Sequence, residues 1–155
     1  MKIHFFSIIL LCSCASQGPL DVVFDDSGTP EEYTAAEQAA FEWNDTCKRD
    51  LIHVHRGTGE IPLYGRPGHV DGTALAATLT HHDNSPAAIV YQNDSITGHP
   101  LMVTLAHEFG HALGILEHTK TGLMKSSLPT TGTVGEDGRL IPGMITQEQC
   151  DSLSR

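Results

Sequence analysis

The sequence predicts an α+β domain, and three observations lead to that expectation. Four short runs rich in branched and aromatic residues, Asp21 to Phe24, Leu51 to His55, Thr73 to Thr80 and Ala87 to Tyr91, are bounded by turn-forming residues. Two longer stretches carry apolar residues at helical spacing, one between the first two runs and one after the last. The chain has 155 residues, 39% of them hydrophobic and 18% charged. That suits one domain with one core and leaves no room for a comfortable second.

Taken in order, the first strand, Asp21-Val22-Val23-Phe24, is stopped by Asp25-Asp26-Ser27-Gly28. A helix then opens at Thr29: its hydroxyl can cap, Pro30 suits the first turn, and Glu31 and Glu32 favour the positive end of the helix dipole. Ala36, Ala39, Ala40 and Trp43 recur on one face, which is expected to pack on a sheet with Trp43 in the core. Leu51 to His55 alternates with period two and puts His53 and His55 on one strand face, where solvent-facing histidines are the expected reading. Gly57 to Gly72, rich in Gly and Pro, reads as a loop. His81 to Pro86 separates the next two strands, and its Asp-Asn-Ser-Pro reads as a turn. Pro100 marks the start of an apolar helix over Leu101 to Leu113, and Gly114 marks its end. The chain is then loop-like to Gly143, and Thr146 caps a short final helix.

The first residues read differently from the rest. Lys2 precedes an apolar run, Ile3 to Leu11, too short to span a bilayer, so residues 1–13 are expected to be an export signal. Leu11-Cys12-Ser13-Cys14 resembles a bacterial lipobox. That resemblance implies cleavage before Cys14, a lipid on its sulfur and a short tether over residues 14–20. Cys12 fits less well, because Leu11 would stand where a small residue is wanted. Ala15 follows, with no Asp to suggest inner-membrane retention, so an outer-membrane lipoprotein is expected; secretion after cleavage near Ala15 is the alternative.

The formal charge is −10, with 19 acidic against 9 basic residues. Nucleic acid is therefore excluded as an expected partner, since phosphate binding wants a basic face. Membrane contact is expected only through the lipid anchor, and the domain is expected to be a monomer. With Cys12 removed and Cys14 lipidated, Cys47 and Cys150 are an even pair in an oxidising compartment and are expected to bridge. Asp25, Asp26, Asp83 and Asp94 are read as solvated loop acids.

The chemistry concentrates in His107-Glu108-Phe109-Gly110-His111. Residues four apart on a helix project from one face, so His107 and His111 can reach a single tetrahedral zinc ion. Glu108 lies about 100° around the axis, which sets its carboxylate beside the open metal position rather than on the metal. A carboxylate there can take the proton from a metal-activated water and return it to a leaving amine. The neighbours Ala106, Phe109 and Ala112 are apolar, which argues against a solvent-facing helix. Gly114 can adopt the left-handed conformation, stop the helix and swing the chain back toward the metal.

From these residues the chain resembles the metzincin metallopeptidases, whose motif is His-Glu-x-x-His-x-x-Gly-x-x-His followed by a methionine turn. His107 to Gly114 is similar to the matrixin branch, and Met124, in Gly122-Leu123-Met124-Lys125, stands where the methionine turn belongs. The resemblance implies a mixed twisted sheet carrying the first helix and the zinc helix, with a small C-terminal part below the cleft. It departs at the third ligand. The family register falls on Glu117, whereas His118 comes one residue late. Either an added residue in Ile115-Leu116-Glu117 lets His118 bind, or Glu117 binds in register, as the snapalysin group resembles. His118 is preferred because three histidines are the commoner set in the family. Two other family features, a cysteine-bearing latency motif and a tyrosine after Met124, are missing.

The resemblance implies a zinc endopeptidase with Glu108 as general base, His107, His111 and His118 (or Glu117) on Zn2+, and Met124 as an apolar floor. A peptide would lie extended along an edge strand, expected within Ala87 to Asn93. The other readings are a zinc-binding surface lipoprotein without catalysis and a zinc hydrolase of a non-peptide amide.

Overall fold

A computed structural model describes residues 18–68, 74–94, 96–127 and 132–153. Residues 1–13, expected to be an export signal, and Cys14 lie outside the described residues. The elements, in chain order, are β1 (Leu20–Phe24), α1 (Pro30–Cys47), β2 (Ile52–His55), β3 (Ile61–Arg66), β4 (Ala76–Thr80), β5 (Pro86–Gln92), α2 (Gly98–Ala112) and α3 (Gln147–Ser152). The fold is α+β: a five-stranded mixed sheet in the order β2-β1-β3-β5-β4, with three helices. β1, β2, β3 and β5 run parallel, and β4 alone is antiparallel to its neighbour, β5.

Local signals explain most of these elements. Thr29 closes a reciprocal cap on α1: its hydroxyl accepts from the Glu32 amide at 3.2 Å, and the Glu32 carboxylate accepts from the Thr29 amide at 2.7 Å. Ala35, Ala36, Ala39, Ala40 and Trp43 form the buried face of α1. Small alanines let this helix approach α2 closely, and the Trp43 indole N–H donates to the Ala106 carbonyl at 2.7 Å. On the sheet, Leu20, Val22, Phe24, Ile61, Leu63, Ile89 and Tyr91 alternate with less buried neighbours or lie in continuous apolar runs, and they join Trp43, Leu105 and Phe109 in one core.

Two expectations need correction. Within Gly57 to Gly72, expected to be a loop, Ile61–Arg66 forms β3, near the middle of the sheet. Pro62 and Gly65 hid its alternation. Pro62 is tolerated because it is paired only with Val23 of β1; pairing to β5 begins one residue later, at Leu63. Second, the segment Ala87 to Asn93 is not an edge. β5 is paired on both sides, and the free edge beside α2 belongs to β4. The opposite edge, β2, is covered by α1: Asn44 donates to the Ile52 carbonyl at 2.9 Å and accepts from the Leu51 and Ile52 amides, and the Tyr33 hydroxyl reaches the Val54 carbonyl at 3.4 Å.

The C-terminal part is tied to α1 at two places. Cys47 and Cys150 form a disulfide, with 5.3 Å between their Cα atoms. Cross-linking a loop of this size contributes roughly 4–5 kcal/mol in the chain-entropy account. The bond is compatible with an exported protein. No helix among the described residues is long and apolar enough to cross a membrane. The second tie is Arg139, whose guanidinium bonds the buried Glu42 carboxylate at 2.5 Å and Asp45 at 2.8 Å, and stacks over Phe41 at 4.4 Å. Glu42 is 2% exposed, so Arg139→Ala would leave a buried carboxylate with, among the described residues, only Gln38 for company. A loss of about 2–4 kcal/mol in unfolding free energy is expected by urea titration, whereas Arg139→Lys should recover part of it.

Candidate metal centre

Burial of α2 fixes the direction of its polar side chains. Leu101, Met102, Leu105, Ala106 and Phe109 hold the helix in the core, and His107 and Glu108 are buried with them, 8% and 6% exposed. The helix begins at Gly98, two residues before the expected start at Pro100, and Pro100 sits in the first turn, where no intrahelical amide is needed. It ends at Ala112. Gly114 then takes φ +103°, a conformation that costs other residues strain, and the Ile115 amide turns back to the Gly110 carbonyl at 3.0 Å.

That turn brings a third imidazole to the pair on the helix. His107 Nε2 lies 3.1 Å from His111 Nε2 and 3.3 Å from His118 Nε2. The other ring nitrogens of the helical pair are engaged by backbone carbonyls: His107 Nδ1 with Leu123 O and His111 Nδ1 with Ile115 O, each at 2.7 Å. A carbonyl only accepts, so both Nδ1 atoms carry a proton, and in the neutral imidazole Nε2 then carries the lone pair. Two such lone pairs at 3.1 Å cannot bond each other. A cation between them turns this repulsion into coordination. Nitrogens each about 2.0–2.1 Å from a tetrahedral metal stand roughly 3.3–3.4 Å apart; the His107–His118 separation falls in that range and the His107–His111 separation is slightly shorter. His107, His111 and His118 are therefore a group able to hold a metal ion, and the only such group of three or more among the described residues.

Glu117 is exposed and stands outside that group. His53 and His55 are also elsewhere, paired with Asp50 at 2.7 Å and Asp21 at 2.5 Å. His81 is in the β4–β5 turn, where Asp83 accepts from the Ser85 amide and hydroxyl. Asp25 accepts likewise from Ser27. Both are turn acids, as expected.

The electrostatics suit metal binding. Burial pushes His107 down to about 4, so its imidazole stays neutral and ligand-ready at physiological pH. Burial pushes Glu108 above the ordinary carboxylate range, opposed by the Thr78 hydroxyl and by His111. The Thr78 hydroxyl lies 2.8 Å from Glu108 Oε2 and 2.8 Å from the Glu108 carbonyl. Thr78 carried no signal in the sequence, since it stands 30 residues from Glu108 and belongs to no motif.

Against Gly110 of α2, Met124 forms a fully buried floor. Its carbonyl accepts from the Thr119 amide at 2.8 Å, closing the loop that carries His118, and the Leu123 amide donates to the Met144 carbonyl at 2.7 Å. Gly110 makes this floor possible. A Cβ there would fall 2.3 Å from Met124 Sδ and 2.9 Å from Trp43 Cζ2. Although alanine is the better helix former, Gly110→Ala should cost about 1–3 kcal/mol in thermal unfolding, because Met124 and Trp43 are both hemmed in. Since Leu123 orients His107, metal affinity should weaken too.

Fold and site together define an α+β domain with a three-histidine group able to hold a metal ion, buried at His107 and open to solvent at His118, and a buried carboxylate beside it. No protein family and no curated protein matches the sequence.

Proposed function

We propose that this chain is a zinc-dependent endopeptidase of the metzincin type. The observation that supports this most is Glu108: a buried carboxylate next in sequence to one of three converged histidines and close to an open sheet edge. A site that only stores metal has no use for a buried base, whose desolvation costs free energy. Three imidazole nitrogens within 4.8 Å of one another are a donor set that favours zinc.

In this reading His107, His111 and His118 hold the ion, with Met124 beneath them. Zinc bound there supplies Lewis acidity, which polarises a carbonyl and makes water easier to deprotonate. The protein's own groups do the rest. Glu108 receives the proton of the attacking water and delivers it to the departing amine nitrogen. The peptide lies extended along β4, the edge that flanks α2, and its main chain adds one strand to the sheet. We also propose export with a lipid on Cys14, a reading with which the Cys47–Cys150 disulfide agrees.

The test is digestion of a peptide library by the zinc-loaded full domain, read by mass spectrometry with and without chelator. Cuts that vanish with the chelator and return with zinc are the expected result. One zinc per chain and no cuts would transfer the assignment to a binding lipoprotein, or to a hydrolase of non-peptide amides if such a compound is consumed.

A further inference from the structure

We infer that Thr78 is a positioning residue for Glu108, an inference that rests on the peptidase reading. The argument starts from strand alternation. On β4, Ala76 is buried in the core, so Thr78, two residues on, also points to the helix layer, while Leu79 is exposed on the other face. Thr78 is paired with Ile89 of β5, just before the register shift between Leu79 and Thr80. Its hydroxyl is thus mounted on regular, paired sheet, and branching at Cβ restricts its χ1 rotation.

The hydroxyl touches two oxygens of one residue, Glu108 Oε2 and Glu108 O, both at 2.8 Å. It has one proton and two lone pairs, whereas a carboxylate and a carbonyl both only accept. The proton must serve two acceptors, and the side chain of Glu108 is folded against its own main chain to share it. This closes a ring through the side chain and sets the plane of the carboxylate. Oε2 is consumed by that bond. Oε1 is then the oxygen left to exchange protons. Because β4 is also the free edge, the residue that aims the base sits on the strand along which the peptide is proposed to lie. Substrate alignment and base alignment share one rigid element.

The test compares zinc-loaded parent, Thr78→Val and Thr78→Ser. Valine keeps the shape and removes the hydroxyl; serine keeps the hydroxyl. For peptide cleavage, Thr78→Val should lose roughly 10- to 100-fold in kcat with little change in KM or zinc stoichiometry, and Thr78→Ser should recover most of the rate. A purely structural role would lower the melting temperature without that split and without rescue by serine. The second readout needs no activity: the Glu108 side-chain carboxyl carbon resonance, assigned by its loss in Glu108→Gln. It should shift in Thr78→Val and return in Thr78→Ser. An unchanged resonance in Thr78→Val, or an unchanged kcat in an active enzyme, overturns the inference. If the parent cleaves nothing, the peptidase reading fails by itself and the resonance still decides whether Thr78 holds Glu108.

Discussion

Glu108→Gln is expected to lower kcat for peptide cleavage by roughly 10²–10⁴-fold while the protein still binds one zinc per chain. Glutamine has nearly the shape of glutamate, and its amide oxygen can accept the Thr78 hydroxyl that Glu108 Oε2 accepts at 2.8 Å. The three histidines are untouched, so metal stoichiometry should be preserved. What disappears is the capacity to take up and release a proton. Stability should move in the opposite direction from activity. Burial raises the Glu108 carboxyl above its ordinary value in the folded chain, more than the Thr78 hydroxyl and His111 lower it. A carboxyl whose folded value is raised binds its proton more tightly folded than unfolded. It therefore costs no stability at a pH below the unfolded value and costs the most once the pH exceeds the folded value. Metal-free Glu108→Gln should melt at a higher temperature than metal-free parent at neutral pH, and the difference should shrink toward pH 4. Scanning calorimetry of both proteins across that range checks the sign. A variant that loses activity together with zinc would show that Glu108 supports the metal instead.

His118→Ala is expected to weaken zinc binding at least about 100-fold, whereas Glu117→Ala should leave it within roughly threefold. The contrast follows from the turn after α2. His118 Nε2 reaches 3.3 Å from His107 Nε2, and Glu117 stands outside the group of three histidines. Competition with a chromophoric chelator measures both affinities. Stability provides a second measure. A ligand that binds only the folded state stabilises it by RT ln(1 + [L]/Kd), so a 100-fold rise in Kd removes about 2.7 kcal/mol of zinc-dependent stability under saturating conditions. If Glu117→Ala loses the metal and His118→Ala keeps it, the turn binds in the shorter register.

Features written in local spacing were legible from the residues. Thr29 and Glu32 stand three apart and cap α1 reciprocally; Thr146 and Gln149 repeat the device on α3. His107 and His111 stand four apart and share a helix face, a consequence of 3.6 residues per turn that needs no tertiary information. The Cys47–Cys150 bridge came from counting, since only that pair remained once the two N-terminal cysteines were assigned elsewhere. β3 was not legible, because Pro62 and Gly65 carry loop signals and a strand's tolerance for proline depends on which neighbours it pairs with.

Taken alone, then, the sequence determined the helix that carries the metal pair, the carboxylate beside it, the caps, the cysteine pair and the α+β class. Each follows from periodicity or from residue type within a few positions. Tertiary structure alone decided the strand order, which makes β4 and not β5 the free edge, and the choice of His118 over Glu117. It also decided the distant partners of two buried carboxylates: Thr78 for Glu108, 30 residues away, and Arg139 for Glu42, 97 residues away. These depend on strand neighbours, on the turn at Gly114 and on contacts between distant segments. None repeats with a period, so no spacing along the chain encodes them; they exist only once burial of the common core has brought the elements together.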